Sequence, residues 1–86
     1  MLKIKDGYVM QMIGDSHYAV YAGAESNMPS MLSLNGVAAL LFSRLLEGCE
    51  TEALVSALLD EYDVSREVAE RDVSAFIEKL EKAGML

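Results

Sequence analysis

Apolar residues in the middle of the chain recur at the spacing of an amphipathic helix. They follow an i, i+4, i+7, i+11 pattern at Leu34, Ala38, Leu41 and Leu45. Asn35 precedes this helix, where its side-chain oxygen can accept from an amide of the first turn. Gly48 follows it, at the position where a helix often ends in a left-handed residue. The pattern therefore predicts a first helix between Asn35 and Gly48, and this helix is too apolar to be stable without other elements covering it.

Two further helices with the same periodicity follow. The second is predicted to begin with Thr51 as its cap, and its apolar side carries Leu54, Val55, Leu58, Leu59 and Tyr62. Ser65 is predicted to cap the third, whose apolar stripe is Ala69, Val73, Phe76 and Leu80. Gly84 ends the third helix, and we expect Met85-Leu86 to fold back over the bundle.

The residues before the first helix have the composition of strands. Aromatic and β-branched residues dominate 8–13 and 17–21, and Gly14-Asp15 between them is typical of a turn. A tight turn there would place Val9 opposite Val20 and Tyr8 opposite Tyr21. We expect Met10 and Met12 to be core residues of this hairpin.

A third short strand is predicted for Met31 to Leu34, after a loop that contains Asn27 and Pro29. The order of elements indicates an α+β, winged-helix-like fold, in which three short N-terminal antiparallel strands precede a three-helix bundle. With 86 residues, the chain is expected to form a single domain over 1–86. A three-stranded sheet leaves edges that can accept another strand.

The charge of the chain restricts its partners. The net charge is −7, and eleven of the fourteen acidic residues lie from Glu47 onward. Such a field repels phosphate backbones and suits a basic or apolar partner, so no nucleic-acid partner is expected. The N-terminus lacks the apolar core of a signal peptide, no apolar run approaches membrane-spanning length, and Cys49 is the single cysteine. We therefore expect a cytoplasmic protein with no membrane partner.

Residues for catalysis or metal binding are sparse. His17 is the only histidine and lies near a turn, while Cys49 has no nearby base or cluster of cations to lower its pKa. One histidine and one distant cysteine do not make a metal site, and no Gly-rich phosphate loop is present. We expect no enzymatic activity, no catalytic residue, no metal and no cofactor.

A series of short motifs from the third strand to the C-terminus has a recognisable order. In sequence it reads Leu34-Asn35, Gly48, Thr51-Glu52-Ala53-Leu54, Glu61-Tyr62-Asp63-Val64, Asp72-Val73, Phe76, Leu80 and Gly84-Met85-Leu86. Together these motifs resemble the PqqD-like family of small domains, which are recognition elements for ribosomally made, post-translationally modified peptides. The resemblance covers nearly the whole chain. The Pro-Glu-Gly stretch of the founding member is not found here, and Phe42 stands where Trp is common in the family, so a role in pyrroloquinoline quinone synthesis is not expected.

The resemblance implies a peptide-binding chaperone without chemistry of its own. The leader of a precursor peptide would bind as an added strand beside the third strand, in the groove between it and the third helix. The module would then present the peptide to a maturation enzyme, often a radical S-adenosylmethionine (SAM) protein. Strand addition uses backbone hydrogen bonds for affinity and pockets for specificity.

On this sequence, the predicted peptide-binding residues lie on two elements. The backbone groups come from Met31, Leu32, Ser33 and Leu34, and the groove floor is formed by Ala69, Val73, Phe76 and Leu80. The same helical stripe is also what a purely structural helix would show. A further hypothesis pairs Arg66 and Arg71 with acidic groups of a leader.

Two other functions fit the predicted fold. A winged-helix DNA-binding regulator would need a basic recognition helix, but in the third helix Arg66, Arg71, Lys79 and Lys82 are opposed by Glu67, Glu70, Asp72, Glu78 and Glu81. A structural or dimerisation subunit without a peptide ligand is the other alternative. The bare edge of the predicted sheet and the small core also favour a homodimer.

Overall fold

A computed structural model describes residues 1–21 and 31–86, which contain three strands followed by three helices. The elements are β1 (Tyr8–Ile13), β2 (Ser16–Tyr21), β3 (Met31–Leu34), α1 (Gly36–Glu47), α2 (Thr51–Glu61) and α3 (Arg66–Lys82). The predicted α+β class and the winged-helix-like order of elements are confirmed. The loop predicted around Asn27 and Pro29 lies outside the described residues.

The hairpin forms in the predicted register, with Tyr8 opposite Tyr21 and Val9 opposite Val20. The rings of Tyr8 and Tyr21 pack with their centroids 4.9 Å apart. Gly14 has a φ of 63° at the first position of the two-residue loop, which is the conformation that a tight hairpin turn of type II′ requires of glycine. Met10 packs against the core as expected, but Met12 is 64% exposed, because it lies at the end of the strand beyond the reach of the helices.

One face of the sheet packs on α1 and contributes to the core. Ala19 in β2 and Leu34 in β3 are buried there, together with Phe42 and Leu45 of α1. Residues from α2 and α3 complete this core, among them Leu54, Val55, Leu58, Ala69, Val73 and Leu80. Most residues of the apolar stripes predicted for α2 and α3 are therefore core residues through which the helices pack on one another.

Side-chain caps fix the starts of two helices. The amide of Ala38 donates to Asn35 Oδ1 at 2.8 Å, and the amide of Val68 donates to Ser65 Oγ at 3.2 Å. The predicted Thr51 cap is wrong: Thr51 is the first helical residue of α2, and the capping position belongs to Glu50, which makes no side-chain capping hydrogen bond. Thr51 and Glu50 are adjacent polar residues, so residue type alone did not determine which of them occupies the capping position.

The chain's first residues are part of the fold, which the sequence did not indicate. Leu2 and Cys49 exchange two backbone hydrogen bonds of 2.8 Å, and the amide of Ile4 donates to the carbonyl of Leu45 at 2.9 Å. Ile4 is 4% exposed. The amide of Lys5 donates to the carbonyl of Met85, whose side chain is buried, so the predicted return of the C-terminal residues over the bundle is confirmed.

None of the helices in the described ranges is both long and apolar enough to cross a membrane.

Candidate functional site

Among the residues that the structure describes, the outer side of β3 is an open edge of the sheet. The strand order is β1-β2-β3, and β3 pairs with β2 through all four of its residues. Within residues 1–21 and 31–86, no strand pairs with the other side of β3. An open edge presents backbone N–H and C=O groups to whatever lies beside it.

Register and turn geometry decide which backbone groups face outward. In a two-residue hairpin the pair that closes the turn is hydrogen-bonded, and hydrogen-bonded pairs then alternate along the strands. The pairing of Ile13 with Ser16 therefore directs the N–H and C=O of Ser16, Tyr18 and Val20 towards β1. His17 and Ala19 bond to β3 instead, opposite Leu34 and Leu32. The outward-facing backbone groups of β3 are therefore those of Met31 and Ser33.

The side chains of β3 follow the same alternation. Leu34 is buried and Leu32 is half-buried against the core, whereas Ser33 is exposed. The four predicted strand residues thus divide by role, because the backbone of Met31 and Ser33 is open to a ligand while the side chains of Leu32 and Leu34 hold the strand to the core.

A surface groove of ≈ 310 Å³ begins where β3 ends. Asn35, the residue after β3, lines it together with residues from the first two turns of α1 and the middle of α3. Its other lining residues are Val37, Ala38, Leu41, Asp72, Ala75, Phe76 and Lys79. The chain therefore passes from the end of β3 directly into a mostly apolar groove, which lies between α1 and α3 and not between β3 and α3 as the family resemblance implies.

The α3 wall of this groove is offset by one position from most of the predicted floor, and the two sets share Phe76. Ala69, Val73 and Leu80 have no exposed surface, so only Phe76 of the predicted set reaches the groove, and it is 8% exposed. The rest of the α3 wall consists of Asp72, Ala75 and Lys79, each of which immediately precedes a core residue of the stripe. One step along a helix rotates by about 100°, so the residue before each buried position faces the margin of the core. Ala75 and Lys79 could therefore have been identified from the sequence by their position one residue before the apolar stripe.

Some charged residues of α3 form ion pairs within the chain, whereas two others line the groove. Arg66 forms ion pairs with Glu52 and Glu70, and Lys82 pairs with Glu78 at 3.0 Å. Arg66 is thus engaged within the chain, which disfavours its hypothesised pairing with a leader. In the described part of the chain, Asp72 and Lys79 enter no ion pair.

Groups suited to chemistry do not converge on the groove. Among residues 1–21 and 31–86 there is no cluster of His, Cys, Asp and Glu that could hold a metal ion. Cys49 lies at the other end of α1, and burial, assisted by the neighbouring Glu50 and opposed by Arg44, raises the pKa of its thiol. A raised pKa leaves less thiolate at neutral pH, so this cysteine is a poor nucleophile.

Comparison with known proteins identifies the family. The sequence model of coenzyme PQQ synthesis protein D (PqqD) matches residues 9–86. The chain belongs to the PqqD family. No curated protein gave a significant match to this sequence.

Two solved structures resemble this PqqD-family chain. One is described as TbiB1 in complex with the TbiA(beta) leader peptide; it is 29% identical, with a TM-score of 0.79, and the match covers 99% of this chain and 94% of that one. The other is described as lasso peptide synthetase B1 complexed with the leader peptide; it is 26% identical, with a TM-score of 0.75, and coverage is 96% and 93%. Both similar proteins were solved with leader peptides bound.

Proposed function

We propose that this protein is a leader-peptide recognition module. In this proposal, residues 1–86 act as one non-catalytic domain that binds the leader of a ribosomally synthesised precursor peptide. The leader adds a strand to the open edge of β3 and places side chains in the groove between α1 and α3. The bound leader keeps the precursor within reach of a maturation enzyme.

The observation that carries this proposal is that the strand with the open edge leads directly into residues that line an apolar groove. The backbone groups of Met31 and Ser33 face outward, and Asn35 joins the end of that strand to the groove. The two similar structures support the proposal, because both are described as complexes with leader peptides.

The strand edge and the groove contribute to the free energy of leader binding in different ways. Met31 and Ser33 offer two donors and two acceptors, and each hydrogen bond contributes a net of about 0.5–1.5 kcal/mol. Binding also costs translational, rotational and chain entropy, so these bonds alone give weak affinity. The groove must therefore supply much of the affinity through burial of apolar side chains, at roughly 25 cal/mol for each Å² of apolar surface. Strand addition sets the direction of the peptide, and the groove selects which peptide binds.

The proposal extends to the maturation enzyme and to the cellular location of this protein. Ribosomal synthesis places the precursor in the cytoplasm, where we expect this domain to act. A radical SAM enzyme as the maturation partner remains a prediction from the family resemblance. A homodimer also remains a prediction.

Amide chemical-shift mapping tests the site directly. The leader of a precursor peptide encoded beside this gene is titrated into the labelled protein. We expect the largest changes at Met31 and Ser33 and along the groove at Ala38, Ala75 and Lys79. Changes restricted to α2 would contradict the proposed position.

A pair of proline variants tests the strand edge itself. Ser33→Pro removes an outward N–H of β3 and leaves the hydrogen bonds between β2 and β3 in place. Met12→Pro is the matched control, because the same alternation puts the Met12 N–H on the opposite, outer side of β1. We expect Ser33→Pro to weaken leader binding at least tenfold and Met12→Pro to leave it unchanged, with folding of both variants verified by circular dichroism. Loss of binding in Met12→Pro alone would assign the peptide to β1.

A further inference from the structure

We propose that the leader segment preferred by this chain carries an apolar residue between a basic and an acidic residue. The inference rests on the proposed function and concerns the specificity of the same groove. The basic residue would pair with Asp72 and the acidic residue with Lys79. The order of the two charges along the peptide, and not their sum, would then determine how well the leader binds.

The arrangement of charges in the groove leads to this inference. Asp72 and Lys79 both line it, with Ala75 and Phe76 between them on the same helix. The two charged residues are seven positions apart in the sequence, which corresponds to about 10 Å along a helix axis. The opposite wall is formed by the apolar Val37, Ala38 and Leu41 of α1 and by Asn35, which caps that helix. The groove is therefore an apolar pocket with a negative group towards one end and a positive group towards the other.

The distance between Asp72 and Lys79 predicts a spacing of charged residues in an extended peptide. Side chains on one face of a strand recur at every second residue, about 6.6 Å apart. An apolar side chain seated against Ala75 and Phe76 then has its same-face neighbours two residues before and two residues after it. Those neighbours span about 13 Å, and the long, flexible stem of Lys79 can cover the difference. The expected segment is basic-x-apolar-x-acidic, or the reverse, according to the direction in which the peptide runs.

Net charge alone would give a different preference. The protein carries a charge of −7, which attracts any basic peptide irrespective of the order of its residues. Two peptides of identical composition but reversed charge order experience the same long-range attraction. A difference in their affinities therefore reports the local pairs at Asp72 and Lys79.

The experiment uses two leader-derived peptides that differ only in this order, Lys-x-Leu-x-Glu and Glu-x-Leu-x-Lys, with affinities measured by fluorescence anisotropy. Reversal replaces two attractive contacts by two repulsive ones, and exposed pairs are individually weak. We expect the wild-type protein to prefer one order by about fivefold. The exchange variant Asp72→Lys/Lys79→Asp, which has the same net charge, should prefer the other order by a similar factor.

A second exchange on the same helix is the control. Arg71 and Glu81 are exposed residues of α3 that do not line the groove. Arg71→Glu/Glu81→Arg should therefore retain the wild-type preference.

The outcomes separate this inference from the proposed function. If both peptides shift the amides of β3 but bind with equal affinity, the inference is wrong and leader binding stands. An unchanged preference in the Asp72/Lys79 exchange variant would overturn it in the same way. If no leader-derived peptide binds at all, the proposed function itself fails and the inference fails with it.

Discussion

At the scale of single residues, Asn35 has two structural roles. Its side chain accepts from the amide of Ala38 and so starts α1, and it also lines the groove beside the end of β3. The residue that follows the proposed binding strand thus caps the helix that forms one wall of the groove. Ser65 caps α3 in the same way but lies outside the groove.

These two caps allow a stability effect to be separated from a binding effect. We predict that Asn35→Ala and Ser65→Ala each lower the free energy of unfolding by about 1 kcal/mol, because each leaves a helix amide without its side-chain acceptor. Only Asn35→Ala should also weaken leader binding. Urea unfolding and peptide titration measure the two effects, and equal losses of affinity in both variants would contradict a role of Asn35 in the groove.

At the scale of elements, α3 serves the core and the groove with two adjacent faces. Ala69, Val73 and Leu80 bind it to the rest of the molecule, while the positions just before Val73, Phe76 and Leu80 face the groove. The periodicity of the helix identified the core face. Periodicity could not identify the face that lines the groove, because that face is defined by the position of α1 beside α3.

The N-terminal segment is an element of the fold although it is not a regular strand or helix. Residues 1–8 precede the part of the chain that matches the PqqD family, yet Ile4 is buried and bonded to α1. We predict that Ile4→Ala lowers the free energy of unfolding by about 2–4 kcal/mol, from lost burial and a residual cavity. That is a large part of the roughly 5–10 kcal/mol expected for a domain of this size.

Lys3→Ala is the control, since Lys3 is exposed in the same segment. It should change stability by less than about 0.5 kcal/mol. Urea denaturation followed by circular dichroism measures both variants. Equal midpoints for Ile4→Ala and wild type would show that the segment does not contribute to the core in solution.

At the scale of the whole molecule, charge is distributed unevenly between sheet and helices. The strands β1, β2 and β3 contain no Asp, Glu, Lys or Arg, whereas the exposed surface of α3 alternates in sign. A winged-helix protein that binds DNA presents a basic recognition helix, because phosphate contacts supply most of its affinity. The third helix of this chain therefore lacks the basic surface that such a DNA-binding protein requires.

We predict that the protein does not bind duplex DNA. With a net charge of −7 and acidic residues along α3, approach to a phosphate backbone is repulsive. Fluorescence anisotropy with a labelled duplex at 50 mM salt should show no binding under conditions in which a leader peptide binds. Tight binding that weakens as salt is raised would restore the DNA-binding alternative.

The sequence by itself determined the elements of this protein. Local spacing predicted all three helices, the bounds of β1 and β3, and the hairpin register, because turns, caps and periodicity act between residues close in the chain. The order of motifs also led to the PqqD family.

Only the tertiary structure decided how these elements combine into a site. Docking of Ile4 against α1, the outward direction of the Met31 and Ser33 backbone, and the placement of Asp72 and Lys79 on one groove all depend on contacts between distant segments. A helical stripe is the same in sequence whether it packs against a core or lines a groove. The distinction is made by the elements that pack beside it.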